Sequence, residues 1–269
     1  MGKILSLNAI SKSFGAVVVA EHLNLDLEEG EALGMLGPNG AGKTTLFGII
    51  TGTVAADSGR LFFDGRDITR LSPVLRSRLG MARSFQIPQP FGGMTVFENL
   101  VTAAACVRNT RESDVYQFAG ETLAECNLLH RANQKAGTLS LLDRKRLELA
   151  RALATRPRIL LLDEVAGGLS EPECESLVAL IKRVRQSGIS LVWIEHIMHA
   201  LVAVVDRIVV LAGGAIIADD KPHAVIQNPR VAEIYMGIPA NDRPNHTARG
   251  RDGALNGTAR SVRPYGVLP

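Results

Sequence analysis

The sequence is poor in aromatic residues, which make up 4% of its 269 residues and include a single tryptophan. Apolar residues of all kinds nevertheless amount to 46% of the chain. Aliphatic side chains must therefore fill most of the core, which a chain of this length can build without disulfides or metals. A largely aliphatic core is typical of α/β proteins whose parallel strands are buried on both faces.

Cysteine is also scarce. The three cysteines, Cys106, Cys126 and Cys174, form no C-x-x-C pair. An odd number of widely spaced cysteines argues against a disulfide framework. We expect three reduced thiols in a cytoplasmic protein.

Long apolar runs are missing as well. The longest, ALVAVVDRIVVLAGGAIIA, is interrupted by Asp206, Arg207 and two glycines. A membrane-spanning helix needs about 20 consecutive apolar residues. The sequence therefore predicts no membrane span, and it contains no recognisable signal peptide.

A strong charge of one sign is absent from most of the chain. The formal net charge is +3, and from Asn241 onward five arginines stand against two acidic residues, so residues 1–240 are formally neutral. A basic footprint for nucleic acid is therefore not supported, and we expect no nucleic-acid partner. Residues 241–269 show no periodicity and are predicted to be a disordered tail. Contact of that tail with a membrane surface is the alternative.

Strand and helix patterns divide residues 1–240 unevenly. The first part predicts short strands and one helix, and turn glycines around residues 57–70 predict a small antiparallel layer. Residues 74–153 look mostly helical, interrupted by QIPQPFGG. After residue 157 strands and helices alternate, which favours a parallel sheet covered by helices. We therefore predict one α/β domain with a mostly parallel sheet, a small antiparallel β layer and an inserted helical subdomain at about residues 87–153.

The strongest chemical motif is GPNGAGKTT, which matches G-x-x-x-x-G-K-[ST] between a strand and a helix. Its glycines let successive amides face a phosphate, and the following helix presents its positive end. Lys43 would reach the β- and γ-phosphates, and the Thr44 hydroxyl would bind Mg²⁺. The motif predicts a nucleoside triphosphate site on a P-loop NTPase core, with the nucleotide-binding residues Gly37, Pro38, Asn39, Gly40, Ala41, Gly42, Lys43, Thr44 and Thr45.

A second motif, RILLLDEV, predicts a buried strand that ends in Asp163 and Glu164. Ligands of open α/β sheets bind at the carboxyl ends of strands, so these acids should lie near the phosphates. We predict that Asp163 holds Mg²⁺ through water. Glu164 would act as the general base that polarises the attacking water.

A third motif, LVWIEHIMH, predicts another buried strand, which ends in Glu195 and His196. We predict that His196 contacts the γ-phosphate from the edge of the sheet. Two alternatives stay open. His196 and His199 have a spacing that could bind a metal, although no third ligand is evident, and His196 could also be a structural histidine.

In this order the motifs GPNGAGKTT, RSFQ, TLSLLDRKRLELARAL, RILLLDEVAGGLS and WIEH resemble those of ABC-type ATPase subunits, over residues 3 to about 237. The resemblance implies that Gln86 is the loop glutamine that senses both Mg²⁺ and the transport channel. It also implies that Phe14 stacks on adenine. For Phe14 the alternative is a core residue, and for Gln86 a surface residue of a loop.

Details of RSFQIPQPFGGMTVFENL, DEVAGGLS and NPRVAEIYMGIP resemble the ATP-binding subunits of bacterial importers for branched-chain amino acids, amides or urea. The resemblance implies a peripheral protein on the cytoplasmic face of the inner membrane. Its partners would be membrane channel subunits, a second ATPase subunit and, indirectly, a periplasmic binding protein. ATP and Mg²⁺ would be its cofactors.

One motif departs from the family. In the segment TLSLLDRKRLELARAL, Ser140 keeps the signature serine that would reach the γ-phosphate held by a partner subunit. Leu141 and Leu142 replace two glycines, and Asp143 replaces a glutamine. Glycine allows positive φ and close backbone approach, so the leucines reduce steric room. The letters S-L-L-D also fit a capping box, in which Ser140 caps a helix and Asp143 reaches back.

The departure affects the contact that this chain's signature would make with the nucleotide on a partner's P-loop. The chain's own P-loop and acidic residues are intact. Val165 and Ser170 also depart from the usual proline and acidic residue. We therefore predict an active ATPase subunit that depends on a different partner ATPase. A subunit with weak hydrolysis and a non-transport ABC-type ATPase are the alternatives, although no heptad run of a chromosome-type ATPase is present.

Overall fold

Two sheets flanked by helices form the fold of the computed structural model, which describes residues 2–106 and 111–236. The tail at 241–269, predicted to be disordered, lies outside the described residues. Within them the strands are β1 (Lys3–Phe14), β2 (Val17–Glu28), β3 (Ala32–Leu36), β4 (Ser58–Phe63), β5 (Arg66–Asp67), β6 (Met81–Arg83), β7 (Ile159–Asp163), β8 (Ser190–Ile194), β9 (Arg207–Ala212) and β10 (Ala215–Asp220).

The helices alternate with the later strands, as the sequence predicts. None of the helices in the described part of the chain is long and apolar enough to cross a membrane. They are α1 (Lys43–Thr51), α2 (Pro73–Arg78), α3 (Val96–Ala104), α4 (Glu112–Glu125), α5 (Leu141–Ala154), α6 (Glu171–Gln186), α7 (Met198–Val202), α8 (Pro222–Gln227) and α9 (Pro229–Met236).

The larger sheet has the order β10-β9-β3-β8-β7-β6. Its strands pair in parallel from β9 to β6, and β10 adds an antiparallel edge to β9. The smaller sheet, β2-β1-β4-β5, is antiparallel throughout. The predicted combination of a mostly parallel sheet and a small antiparallel layer is therefore confirmed.

The larger sheet separates two aliphatic cores. In β8, Leu191 and Trp193 pack in a core that also contains the helices α3 to α6, whereas Val192 and Ile194 pack in a core with α1 and the antiparallel sheet. This division follows from the pleat, since successive side chains of a strand face opposite sides. Every residue of β3, β7 and β8 is buried, which explains their nearly continuous apolar sequences.

One expectation about residues 74–153 is wrong in detail. The segment is not helical from its beginning, because Met81–Arg83 forms strand β6 at the edge of the larger sheet, with Met81 paired to Ile159 and Arg83 to Leu161. Three residues are too few for a periodic pattern, so only pairing with the distant β7 defines this strand.

Candidate active site

The candidate site lies where three neighbouring parallel strands end. The P-loop follows β3, Asp163 ends β7, and Glu195 and His196 follow β8. Because β3, β8 and β7 are adjacent and parallel, their carboxyl ends meet at one edge of the sheet. The topology thus gathers the motifs that the sequence analysis singled out.

The P-loop surrounds a cavity of about 200 Å³, which Glu164 also lines. Gly40 and Gly42 have φ values of +80° and +94°, and helix α1 begins directly after Gly42. A Cβ on Gly42 would lie 2.4 Å from a side-chain atom of Val19 and 2.7 Å from its carbonyl oxygen. Glycine is therefore required here both for the backbone conformation and for the close approach of β2.

Lys43 is buried at the floor of this loop. Its ammonium donates hydrogen bonds to the carbonyl oxygens of Gly37, at 2.6 Å, and of Pro38, at 3.1 Å. Burial lowers the pKa of Lys43, while the charges of Glu164 and Asp163 oppose that shift. The lysine side chain is thus held inside the loop, near enough to Asp163 at the end of β7 and to Glu164 after it to feel their charges.

Glu164 binds two of the other predicted site residues. Its Oε2 accepts a hydrogen bond from Nε2 of Gln86 at 2.6 Å, and its Oε1 lies 2.7 Å from Nε2 of His196. Its φ of +48° is unusual for a residue with a side chain, and its amide donates to the carbonyl of Ile194. The structure brings Gln86, Glu164 and His196 together, although 110 residues separate the first from the last.

Asp163 has a partner that the sequence analysis did not identify. Its Oδ2 accepts a hydrogen bond from Arg83 at 2.5 Å, and both side chains are largely buried. The Arg83 guanidinium also lies over the rings of Phe47 and Phe85. Arg83 precedes Gln86 in RSFQ, so the end of β6 and the loop after it bring one residue to each acid of the DE pair.

Glu195 is a second residue of the site to which the sequence motif alone assigned no role. It is 2% exposed. Its Oε2 accepts from the amide of Ala166 at 3.1 Å, and its Oε1 accepts from the amide of His196 at 2.9 Å. The signal in the sequence was a charged residue directly after the continuously apolar strand β8, which is buried on both faces.

The metal alternative for His196 gains no support from the contacts. Nε2 of His196 is directed at Glu164. Across residues 2–106 and 111–236 there is no group of three or more His, Cys, Asp and Glu side chains placed to hold a metal ion.

Phe14 lies at the end of β1 and is 53% exposed, so its alternative interpretation as a core residue is wrong. The ammonium of Lys12 lies 5.0 Å from the centre of the ring. Phe14 sits in the same antiparallel pair of strands as Val19, which contacts the P-loop. An exposed ring at this place is free to contact a planar ligand.

Ser140 is the N-cap of α5, and its hydroxyl oxygen accepts a hydrogen bond from the amide of Asp143 at 3.2 Å. The second half of the expected capping box is wrong. The Asp143 carboxylate does not reach back but pairs with Arg131 at 2.9 Å and with Arg146 at 3.2 Å. Two nearby arginines attract the carboxylate more strongly than one amide does.

The two leucines of the altered signature have different surroundings. Leu142 is partly buried and packs against the helical core, whereas Leu141 is 43% exposed. A Cβ on Gly168, in the loop after Glu164, would lie 3.4 Å from Cδ2 of Leu141. Leu141 therefore covers its own chain's loop and presents the rest of its side chain to solvent.

These features define a P-loop ATPase of the ABC type. The sequence model of the ABC transporter family matches residues 20–167, more than half of the chain. The chain therefore belongs to the ABC transporter ATP-binding family, as the motif order predicts. It binds ATP and hydrolyses it to power a transporter, and proteins of this family dimerise and work with membrane permease subunits.

Similar proteins agree with this assignment. The chain is 37% identical over 249 residues to the high-affinity branched-chain amino acid transport ATP-binding protein BraF of Pseudomonas aeruginosa, covering 87% of this chain and 98% of BraF. It is 34% identical to the probable branched-chain amino acid transport ATP-binding protein LivG of Archaeoglobus fulgidus, covering 87% and 96%. The ADP conformation of MJ1267, an ATP-binding cassette of an ABC transporter, superposes with a TM-score of 0.79 at 30% identity and covers 88% and 100%.

Proposed function

We propose that the chain is the ATP-hydrolysing subunit of an importer for branched-chain amino acids or related small polar solutes such as amides or urea. The observation that carries the hydrolytic part is the convergence of Gln86 and His196 on Glu164 beside the P-loop. The substrate class is supported by the names of relatives that match nearly their whole length.

In this proposal the P-loop binds the phosphates of ATP. The amides of residues 37–45 and the positive end of α1 face the phosphate oxygens, and Lys43 exchanges its two carbonyl contacts for the β- and γ-phosphates. Phe14 supports the adenine, since its exposed ring offers a flat apolar surface.

The residues around the P-loop also fit Mg²⁺. This ion prefers oxygen ligands and is usually held by one or two side chains together with phosphates and water. Thr44, Asp163 and the amide oxygen of Gln86 supply oxygen atoms at this edge of the sheet, and we propose that they hold the ion. Bound Mg²⁺ would neutralise charge that develops on the phosphate oxygens.

Glu164 is the proposed general base. Hydrogen bonds from Gln86 and contact with His196 hold both carboxylate oxygens at the rim of the phosphate cavity. A carboxylate in that place can orient the attacking water and accept its proton. His196 would hold Glu164 in position and contact the γ-phosphate, as the strand-end motif predicts.

We further propose that a different ATPase subunit completes the site. The Ser140 hydroxyl accepts from Asp143, yet its proton stays available to donate to a phosphate. Leu141, which is partly exposed, adds bulk where the family signature has glycine. The signature of this chain would therefore bind the nucleotide on its partner's P-loop less closely. A partner whose signature has glycines would bind the nucleotide on this chain's P-loop more closely. A subunit with weak hydrolysis is the second candidate, favoured by the same two leucines.

The channel subunits would dock beside the loop of Gln86, on the cytoplasmic face of the inner membrane. A groove of about 380 Å³ lies there, with Phe85, Ala103 and Cys106 among its lining residues. Phe85 and Ile87 are exposed apolar residues on either side of Gln86. A channel segment in this groove would contact the same loop that binds Glu164. A periplasmic binding protein would take part only indirectly, by delivering solute to the channel.

Uptake by cells tests the proposal. Cells that lack this chain are complemented with the wild-type protein or with Glu164→Gln, and uptake of radiolabelled leucine, isoleucine, valine and urea is measured. We expect the wild type alone to restore uptake of one of these solutes. Equal uptake with both proteins contradicts the hydrolytic role, and no restored uptake of any of the four contradicts the substrate class.

A further inference from the structure

The end of β8 places two neighbouring polar residues on opposite sides of the larger sheet. Trp193 packs in the helical core and Ile194 in the core with α1. Since the side-chain period of a strand is two, Glu195 continues the row of Trp193 and His196 that of Ile194. His196 therefore reaches Glu164 on the nucleotide side, while Glu195 is 2% exposed on the side of α5 and α6.

The Glu195 carboxylate joins two segments of the site. Oε1 binds the amide of His196 at 2.9 Å, and Oε2 binds the amide of Ala166 at 3.1 Å. Ala166 lies two residues after Glu164, in the turn that follows β7. A buried carboxylate is costly unless its oxygens accept hydrogen bonds, so these two contacts keep the side chain in place. One group thus links the end of β8 to the turn after the proposed base.

Ionisable side chains of two helices, α5 and α6, lie near enough to Glu195 to feel its charge. Lys145 of α5 is 6% exposed, and although burial lowers its pKa, the Glu195 and Glu164 carboxylates oppose the shift. Burial and the charge of Glu195 raise the pKa of Cys174 in α6. Among the described residues no ion pair joins Lys145 directly to a carboxylate, so the two carboxylates act on the Lys145 ammonium through space.

We propose that Glu195 is a positioning residue for ATP hydrolysis, an inference that rests on the proposed function of Glu164 and His196. By binding the two amides at once, its carboxylate fixes the end of β8 relative to the turn after β7. This keeps Nε2 of His196 and Oε1 of Glu164 at 2.7 Å. The left-handed φ of Glu164 needs such support, because the surrounding structure must maintain an unfavourable backbone conformation.

The test uses the transporter complex purified through a tag on this chain, with Glu195→Ala and Glu195→Gln. Glu164→Gln gives the ATP turnover that comes from sites other than the one containing Glu164. Glu121→Gln, at an exposed glutamate of α4, is the matched control. ATP turnover, KM for ATP, bound ATP per complex and the melting temperature are measured for each. Emission of Trp193, the sole tryptophan of this chain, is recorded on each variant purified without the other subunits and reports whether β8 stays packed.

We expect Glu195→Ala to lower the Glu164-dependent kcat about tenfold to a hundredfold, the range for small misplacements of reacting groups. Glu195→Gln keeps one accepting oxygen and should lose less. KM and bound ATP should stay close to wild type, since the P-loop is untouched. A purely structural role would instead lower kcat and bound ATP together with the folded fraction.

Wild-type kcat per bound ATP in Glu195→Ala overturns the proposal. If that variant does not fold, unchanged kcat in Glu195→Gln overturns it equally. A wild-type complex without any Glu164-dependent turnover contradicts the proposed function itself, and the role of Glu195 falls with it. These outcomes are distinguishable because the Glu164→Gln baseline is measured in the same preparation.

Discussion

The two regions of the chain proposed to act on nucleotide match the family pattern to different degrees. At the phosphate side, the P-loop and the ends of β7 and β8 keep Lys43, the two acidic residues and His196, and Glu164 contacts both Gln86 and His196. At the signature side, the start of α5 keeps Ser140 but carries Leu141 and Leu142 in place of glycines. In the proposed arrangement, in which each site forms between two subunits, these regions would serve different nucleotides. A chain can therefore carry an altered signature and still keep the residues that act on its own nucleotide.

The largest expected effect is at the phosphate side. Glu164→Gln should lower ATP turnover in the transporter complex about a hundredfold or more, the usual contribution of a general base. ATP binding should persist, because Lys43 and the P-loop amides are unchanged. Phosphate release and equilibrium ATP binding measure the two properties separately. Turnover that survives in the variant would mean that another residue acts as the base.

A smaller effect is expected at the signature side. Leu141→Gly with Leu142→Gly, placed in the Glu164→Gln background, should raise the remaining turnover about tenfold, because the backbone can approach the partner's phosphate more closely. The same change should cost up to about 1 kcal/mol of helix stability per residue. Phosphate release and the melting temperature measure both effects.

The control for that experiment is Leu142→Ala alone, which shortens a partly buried side chain without giving glycine's backbone freedom. If the double glycine variant turns over ATP more slowly than its parent, the leucines are themselves part of a working signature. The contrast between the two regions would then disappear.

Removal of the adenine contact should have a more modest effect. Phe14→Ala should weaken ATP binding about fivefold or more, since an aromatic ring stacked on a base contributes about 1–3 kcal/mol. The melting temperature should stay close to wild type, because the ring is 53% exposed. Val17→Ala, an exposed residue at the start of β2, is the control. Unchanged affinity for ATP would remove Phe14 from the site.

The smallest effect concerns the groove beside Gln86. Burial raises the pKa of Cys126 to about 12, so at pH 8 this thiol stays protonated and unreactive, while Cys106 is exposed. A maleimide should therefore label Cys106 and leave Cys126 unlabelled in the folded chain. Channel subunits in the groove should slow the labelling of Cys106, as mass spectrometry would detect. Equal labelling rates with and without the channel would contradict docking at this place.

The sequence predicted which strand ends meet beside the P-loop because the motifs there are local. The P-loop pattern specifies a strand, a turn and a helix in succession. The strands before Asp163 and His196 could each be recognised from their own apolar sequence. Parallel order then brings their ends together. By contrast, strand β6, the Arg83–Asp163 pair and the contacts of Glu195 depend on which distant segments pair, which no local pattern contains. The prediction that the Asp143 carboxylate reaches back to the N-cap was wrong for a similar reason, because Arg131, which pairs with it, comes from outside α5.

Dependence on a partner subunit is measured by phosphate release from the purified chain, with and without a second ATPase subunit and the channel. We expect the chain alone to bind ATP but turn it over slowly, and the complete complex to restore turnover that Glu164→Gln removes. Full and cooperative turnover by the chain alone, lost in Glu164→Gln, would contradict this expectation. The altered signature would then be competent between two copies of this chain.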